Sequence, residues 1–302
     1  MNILLAGASG QLGQELLPLL QQVGQVTTVD RQSGPPGSTN HIKADLTALS
    51  QVEILLNRTR PDLVVNAAAY TAVDKAEHCP ELAFRLNSEL PGCMARWAER
   101  NDRLLFHYST DYIFNGRKDK PWLETEEPGP LNIYGESKLA GEWAIAASRC
   151  RHIILRTSWV YSSHGNNFVL SMLRLARERP QLSIVSDQVG CPTWARNLAQ
   201  VSGDVLNSIL ANKSDPGRDG IYHYCDSTST NWYDFARLIF STALELGLLE
   251  QMPQTQPVKS SQYPQVAERP LYSVLDSSLI QAEFAIKPPG LTESLMACLA
   301  EI

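Results

Sequence analysis

At 302 residues, 43% hydrophobic and 19% charged with a mean hydropathy of −0.19, the chain has the composition of a globular protein with a sizeable core. A formal charge of −6 argues against a nucleic-acid partner, although local cations and amides still suit a small anionic ligand. No window approaches the ~18 consecutive apolar residues of a membrane span, and Met1-Asn2 runs into a short apolar segment without a secretory-type leader, so a cytoplasmic protein is expected.

Residues 3–6 form a short apolar run ending at Gly7, and Leu12, Leu16, Leu19 and Leu20 then follow at helical spacing: strand, tight turn, helix. Residues 26–29 predict a second strand ending in Asp30, and the Pro, Gly and Ser of 32–40 predict a loop. A short helix is expected over 49–56, a buried strand over 63–65, and a helix over 80–100 with Pro80 tolerated in its first turn. Strand 104–108, helix 133–147 and strand 153–156 follow. Beyond Trp159 the alternation loosens. Helical stretches at 168–177, 198–209 and 232–244 are separated by turns, and the Pro-rich segment 253–270 reads as a loop suited to a pocket rim.

Short apolar strands alternating with helices predict an α/β fold, a Rossmann-like doubly wound parallel sheet with a smaller, mostly C-terminal α/β substrate-binding domain. The expected division is a nucleotide-binding unit over 1–158 with a returning segment near 194–221, and a cap made mainly by 159–302. Cys79, Cys93, Cys150, Cys191, Cys225 and Cys298 are scattered without metal-ligand spacing, as are the six histidines, so reduced thiols and no structural zinc are expected.

Gly7-Ala8-Ser9-Gly10-Gln11-Leu12-Gly13 lies between the first strand and the first helix. Glycines there let backbone amides close around a diphosphate at a helix N-terminus. The spacing GxxGxxG departs from the GxGxxG dinucleotide form and resembles the short-chain dehydrogenase version. Asp30 suits a ribose diol and hence NADH, whereas Arg31 suits a 2′-phosphate and hence NADPH; with both present the choice stays open. Asp45-Leu46 are placed to reach the adenine. Ala67, Ala68 and Ala69 are small enough for close approach of a cofactor, although packing would use the same alanines.

Tyr134 and Lys138 stand four apart on one predicted helix, so both project from one face. A free phenol titrates near pKa ~10, and a neighbouring ammonium is expected to favour its phenolate and ease proton donation. Thr110 is the expected third member, a hydroxyl holding the substrate oxygen near Tyr134, with Ser109 as the alternative. Asp111 is expected to orient the substrate or stabilise the loop.

The strings Asn66-Ala67-Ala68-Ala69-Tyr70-Thr71-Ala72-Val73-Asp74-Lys75-Ala76-Glu77, His107-Tyr108-Ser109-Thr110-Asp111-Tyr112-Ile113-Phe114, Tyr134-Gly135-Glu136-Ser137-Lys138-Leu139-Ala140-Gly141-Glu142 and Arg156-Thr157-Ser158-Trp159-Val160-Tyr161 resemble the dTDP-4-dehydrorhamnose reductase family. Gly165-Asn166-Asn167-Phe168 and Asp187-Gln188-Val189-Gly190-Cys191-Pro192-Thr193 continue the likeness. The resemblance implies reduction of the 4-keto group of dTDP-4-dehydro-L-rhamnose by NADPH or NADH, in the supply of dTDP-L-rhamnose for polysaccharides. By position it implies that Gly10, Gln11, Leu12, Asp30, Asp45, Leu46, Ala69, Tyr70, Thr71, Tyr134 and Lys138 contact cofactor. Thr110, Asp111, Tyr112, Trp159 and Asn167 are implied on the sugar-nucleotide side. An indole face such as Trp159 also suits a deoxysugar on physical grounds.

Two other readings remain. An epimerase or dehydratase of the same superfamily is one, but dehydratases commonly carry an acidic pair beside the catalytic hydroxyl, and here Tyr112 follows Asp111. A non-catalytic, cofactor-binding regulatory subunit is the other, and the intact Thr110, Tyr134 and Lys138 argue against it. Some members of the family form dimers around Mg²⁺ held by three carboxylates. Here Glu15 keeps one, Arg196 stands where the second belongs, and the third falls at Thr292 beside Glu293, so a metal-independent monomer or weak homodimer is expected.

Overall fold

The computed structural model describes residues 1–211 and 218–302, so part of the segment expected to return near 194–221 lies outside the described residues. The first six strands are β1 (Asn2–Ala6), β2 (Gln25–Asp30), β3 (His41–Lys43), β4 (Leu63–Asn66), β5 (Leu104–Thr110) and β6 (Arg151–Thr157). With a late strand, Gly220–His223, they form a seven-stranded sheet in the order Gly220–His223, β6, β5, β4, β1, β2, β3. All six pairings are parallel. The strand order reverses at β1 and β4, the switch point where a parallel sheet opens a crevice at its carboxyl ends.

Alternation along each strand supplies two cores. Ile3, Leu5, Leu63, Val65, Phe106 and Leu155 face helices Gln11–Val23 and Ala195–Ala211, meeting Leu16, Leu20, Leu198 and Leu206. Leu4, Ala6, Val64, Leu105 and Ile154 face the opposite way, onto Leu49–Thr59 and Leu90–Arg100. All residues of β5 are buried, as expected of a strand covered on both faces.

The stretch 80–100 is helical but not uniformly so: Pro80–Phe84 and Leu90–Arg100 flank a π-helical turn, Arg85–Glu89. Pro91 has no N–H to return to the carbonyl four residues back, that of Asn87. Helix Ile133–Ser148 exploits this, because Gly141 lies where any Cβ would overlap the Asn87 carbonyl oxygen.

A third core joins Tyr161, Leu173, Trp194, Phe235, Phe240 and Leu295 from helices Phe168–Glu178, Trp232–Glu245 and Leu291–Leu299 and the short segments between them. Here one expectation fails. Residues 253–270 are not a loop throughout, since Gln254–Val258 pairs in parallel with Gln181–Val185. Their partnership is long-range, and Pro257 is tolerated because the pair is all edge. Tyr263, Pro264, Gln265 and Arg269 of the same segment do rim a cavity. Among the described residues no helix is long and apolar enough to cross a membrane.

Candidate active site

The glycine turn sits against the end of β4. Gly7 has φ +77° and donates its N–H to the Val29 carbonyl at 3.0 Å. A Cβ on it would lie 2.5 Å from the Ala68 nitrogen, so glycine is what brings turn and strand end together. At Gly13 a Cβ would overlap the Gly7 carbonyl oxygen. Gly10 is the N-cap of the first helix, which Gln11, Leu12 and Gly13 begin. Asp30 accepts from the Ser9 amide at 3.1 Å and from the Arg31 amide at 2.6 Å. The amide and hydroxyl of Thr47 both donate to Asp45 and hold its carboxyl below the usual range. Gly7, Gly10, Asp30, Arg31, Asp45, Leu46, Ala67, Ala68 and Ala69 line one cavity of about 160 Å³, joined by Leu86, which sequence reasoning missed.

Asn87 was also missed. Its Oδ1 accepts from the Tyr70 amide at 2.8 Å, while its Nδ2 donates to the Tyr70 carbonyl and to Ser137 Oγ, both at 3.0 Å. One buried amide thus ties the segment after β4 to the helix that carries Tyr134 and Lys138. Thr71, one residue on, is exposed.

That helix is capped twice: Asn132 Oδ1 accepts from Gly135 N at 2.8 Å, and Glu77 accepts from Ile133 N at 2.9 Å. Loss of hydration pushes the Tyr134 phenol up to about 12, with the neighbouring Thr110 hydroxyl pulling the other way. The expected lowering by Lys138 is absent from this arrangement. Lys138 Nζ instead donates to the Tyr108 carbonyl at 2.6 Å and lies 3.3 Å from His107 Nε2, and burial pushes it down to about 8. Desolvation outweighs the ammonium effect, and the phenol is kept protonated. Thr110 Oγ1 donates to Asp111 Oδ1 at 3.0 Å and accepts from the Tyr112 amide at 3.2 Å; burial pushes the Asp111 carboxyl up to about 7. Tyr112 meets the Tyr134 ring edge-on, with centroids 5.7 Å apart. Ser109 is buried, and its hydroxyl has no hydrogen-bond partner among the described residues.

Trp159, with φ +48°, stacks on Trp232 with ring centroids 3.4 Å apart. Trp232 in turn lines a second cavity of about 510 Å³ with Phe168, Gln188 and Arg269. Asp74 holds Arg269 there, accepting from its guanidinium at 2.7 Å and from the Ala267 amide at 3.0 Å. Asn167, expected on the sugar-nucleotide side, stands at the start of the helix that follows it. It caps helix Phe168–Glu178 through Leu170 N at 3.0 Å and donates to Gln11 Oε1 and Ser162 O, both at 2.9 Å. Its amide thereby fastens the cap to the glycine turn.

Beneath the site, Arg156 and Glu142 form a fork-shaped buried ion pair with contacts of 2.7, 3.0 and 3.2 Å. Farther off, Arg196 Nε donates to Glu15 at 2.9 Å and also bonds Glu301. The C-terminal acid near Glu15 is therefore Glu301, not Glu293, which stands exposed. A guanidinium between the two carboxylates supplies no ligand oxygen and repels a cation, so the residues present do not fit Mg²⁺. No group of three His, Cys, Asp or Glu among the described residues is arranged to hold a metal ion.

Strand order, glycine turn and strand-end acid define a Rossmann-type protein of the extended short-chain dehydrogenase class. The whole chain, residues 1–302, matches the family described as "RmlD substrate binding domain". It is 41% identical to a dTDP-4-dehydrorhamnose reductase of Escherichia coli over 302 residues, covering 100% of this chain and 98% of that protein. The Salmonella typhimurium reductase is 42% identical over 96% of this chain and 94% of its own. A crystal structure of the Bacillus anthracis dTDP-4-dehydrorhamnose reductase in complex with NADP superposes with a TM-score of 0.87 at 31% identity, covering 100% and 99% of the two chains. The chain belongs to the RmlD, or dTDP-4-dehydrorhamnose reductase, family.

Proposed function

We propose that this protein reduces the 4-keto group of dTDP-4-dehydro-L-rhamnose to give dTDP-L-rhamnose, using NADPH or NADH, in the cytoplasm and for polysaccharide assembly. The observation that carries the reading is the gathering of the glycine turn, Asp30 and residues 67–69 on one cleft, in a full-length member of a reductase family. The nicotinamide supplies hydride to the ketone carbon; the rest falls to the chain. Thr110 holds the keto oxygen, and Tyr134 gives it the proton that turns the forming alkoxide into the product alcohol. Lys138 positions the cofactor ribose, while Gln11, Leu12, Gly13, Asp45, Leu46, Tyr70 and Thr71 complete the nucleotide cleft around the residues above. Asp111, Tyr112 and Trp159 orient the sugar. Residues 1–158 with a returning segment bind cofactor, and 159–302 mainly bind substrate.

With substrate generated in situ, absorbance at the reduced-nicotinamide band should fall by one equivalent per ketone reduced. Both nucleotides should serve, because Asp30 suits one ribose and Arg31 the other, and their kcat/KM values should differ by less than ~10³-fold. Stoichiometric consumption separates this reading from an epimerase, which regenerates its cofactor. No substrate-dependent oxidation with either nucleotide would rule the reductase out.

Because Arg196 occupies the space between Glu15 and Glu301, we expect a metal-independent monomer or weak homodimer. Sedimentation and activity should be the same in EDTA and in Mg²⁺. A tight dimer that dissociates on chelation and re-forms with Mg²⁺ is the contrary result.

A further inference from the structure

Between Asp30 and His41 the chain leaves β2, runs through 31–40 and re-enters the sheet as β3, the outermost strand. His41 stands opposite Thr28 in the register of the two strands, and its Nδ1 lies 3.0 Å from the Oγ1 of that fully buried threonine. Its other ring nitrogen reaches back along the chain. Nε2 lies 2.9 Å from the Gln32 carbonyl oxygen, which can only accept, so Nε2 donates. Gly34 sits against the same ring, where a Cβ would come within 2.7 Å of the imidazole Cγ. One imidazole thus bolts the start of the loop to the strand that ends it. The later half is fastened separately, by Gln21 Nε2 on the Gly37 carbonyl at 2.9 Å and by Ser38 Oγ on Thr28 Oγ1 at 2.6 Å.

Arg31 lies between two fixed points. Its amide donates to Asp30 Oδ1 at 2.6 Å, and the carbonyl of the next residue is the one that His41 holds. The Arg31 side chain is exposed, lines the cofactor cavity beside Asp30 and Asp45, and helps hold the Asp45 carboxyl down. His41 is not in the wall of that cavity, so whatever it does there it does through Arg31. We propose that His41 is a positioning residue for the phosphorylated cofactor: by fixing the Gln32 peptide it fixes the direction in which the Arg31 guanidinium leaves the backbone, and with it the affinity for a ribose 2′-phosphate.

The unphosphorylated ribose does not depend on this device. Asp30 ends β2, and its carboxylate accepts from the Ser9 amide of the glycine turn at 3.1 Å, a bond that the loop beyond it does not make. Guanidinium and phosphate pair through a planar fork of N–H donors, and that contact is directional. Rotation of the backbone at Gln32 therefore costs the 2′-phosphate its partner and leaves the ribose diol facing an acid that has not moved. His41 in this way separates the affinities for the two nucleotides without touching either.

This inference rests on the proposed places of Asp30 and Arg31 in the cofactor cleft, and its test reads binding directly, from the fluorescence of NADPH and NADH titrated with protein. His41→Phe keeps a flat ring against Gly34 and suits a strand, but it has no N–H for Gln32. We expect its Kd for NADPH to rise at least ~10-fold while that for NADH changes less than ~2-fold. Turnover at saturating NADPH should stay near native, so the change appears in KM and not in kcat. His41→Gln returns an Nε2–H donor at nearly the same reach and should bring NADPH affinity back to within ~3-fold of native. Gly34→Ala works from the loop side, displacing the ring without altering either nitrogen, and should show the same selective loss; with His41→Gln it carries the test if the phenylalanine variant does not fold. Equal losses for both nucleotides, no loss for either, or a glutamine variant as weak as the phenylalanine one would overturn the proposal. Native protein that binds neither nucleotide overturns the cofactor reading and this proposal with it. Selective loss in a protein that reduces no sugar nucleotide leaves the role of His41 standing, and only the reductase reading fails.

Discussion

Tyr134→Phe is expected to lower kcat by at least ~10²-fold while leaving cofactor affinity close to that of the native protein. The loss corresponds to about 2.7 kcal/mol of transition-state stabilisation. Its origin is specific. Burial keeps the phenol protonated beside Thr110, so at neutral pH it carries the proton that the forming alkoxide must receive. Phenylalanine keeps the edge-on packing against Tyr112 and removes the hydroxyl that carries the proton. Lys138→Ala should differ, weakening both nucleotide affinity and turnover, because its proposed role is to position the cofactor ribose from its anchorage on Tyr108 and His107. Steady-state kinetics with a direct cofactor-binding measurement separates the two. A folded Tyr134→Phe protein with near-native kcat would remove Tyr134 from its assigned role.

Glu142→Ala should destabilise the fold by about 3–5 kcal/mol, since it strands a charge in the interior. The two side chains are 4% and 2% exposed; the Arg156 guanidinium lies over the Phe114 ring, and its other hydrogen-bond partners among the described residues are the Glu124 carbonyl at 3.3 Å and His223 Nε2 at 3.2 Å. Neither partner atom is negatively charged, and the Glu124 carboxylate, which senses Arg156, accepts instead from the His223 amide. The double change Glu142→Met with Arg156→Met should cost far less, because it removes both charges and leaves apolar volume. Urea unfolding of the single and double variants checks this. A loss below ~1 kcal/mol in the single variant would mean that water reaches the pair.

The sequence was most informative where one short segment does a whole job. The turn from Gly7 to Gly13 is local, its glycines are demanded by a positive φ and by contacts within a few residues or at one strand end, and it could be read directly. Tyr134 and Lys138 were likewise legible as a pair on one helix. Their electrostatics were not, because burial and the partners His107 and Tyr108 belong to another strand, some thirty residues away. Asn87 had no signal: nothing in its neighbourhood announces a π-helical turn except Pro91, and its partners Tyr70 and Ser137 lie 17 and 50 residues off. Trp232 and Arg269 reach the second cavity only through tertiary packing, and the pairing of Gln181–Val185 with Gln254–Val258 spans too much chain for local pattern to reveal. Asn167 shows what a motif leaves out, since its capping of helix Phe168–Glu178 and its bond to Gln11 appear only in the tertiary structure.

The position of Gly220–His223 in the sheet has a consequence for how the chain is made. A ribosome that has released Thr157 has already synthesised every residue of the glycine turn and the Tyr134–Lys138 helix, yet β6 still presents an unpaired edge. Leu16, Leu17 and Leu20 also wait for helix Ala195–Ala211 to cover them. Until that later segment emerges, the nascent chain carries an open strand and an uncovered apolar face, both invitations to the wrong partner. Vectorial synthesis thus leaves this sheet edge and this apolar face open until the later helix and strand have been translated, and the period of greatest aggregation risk falls between β6 and Gly220–His223.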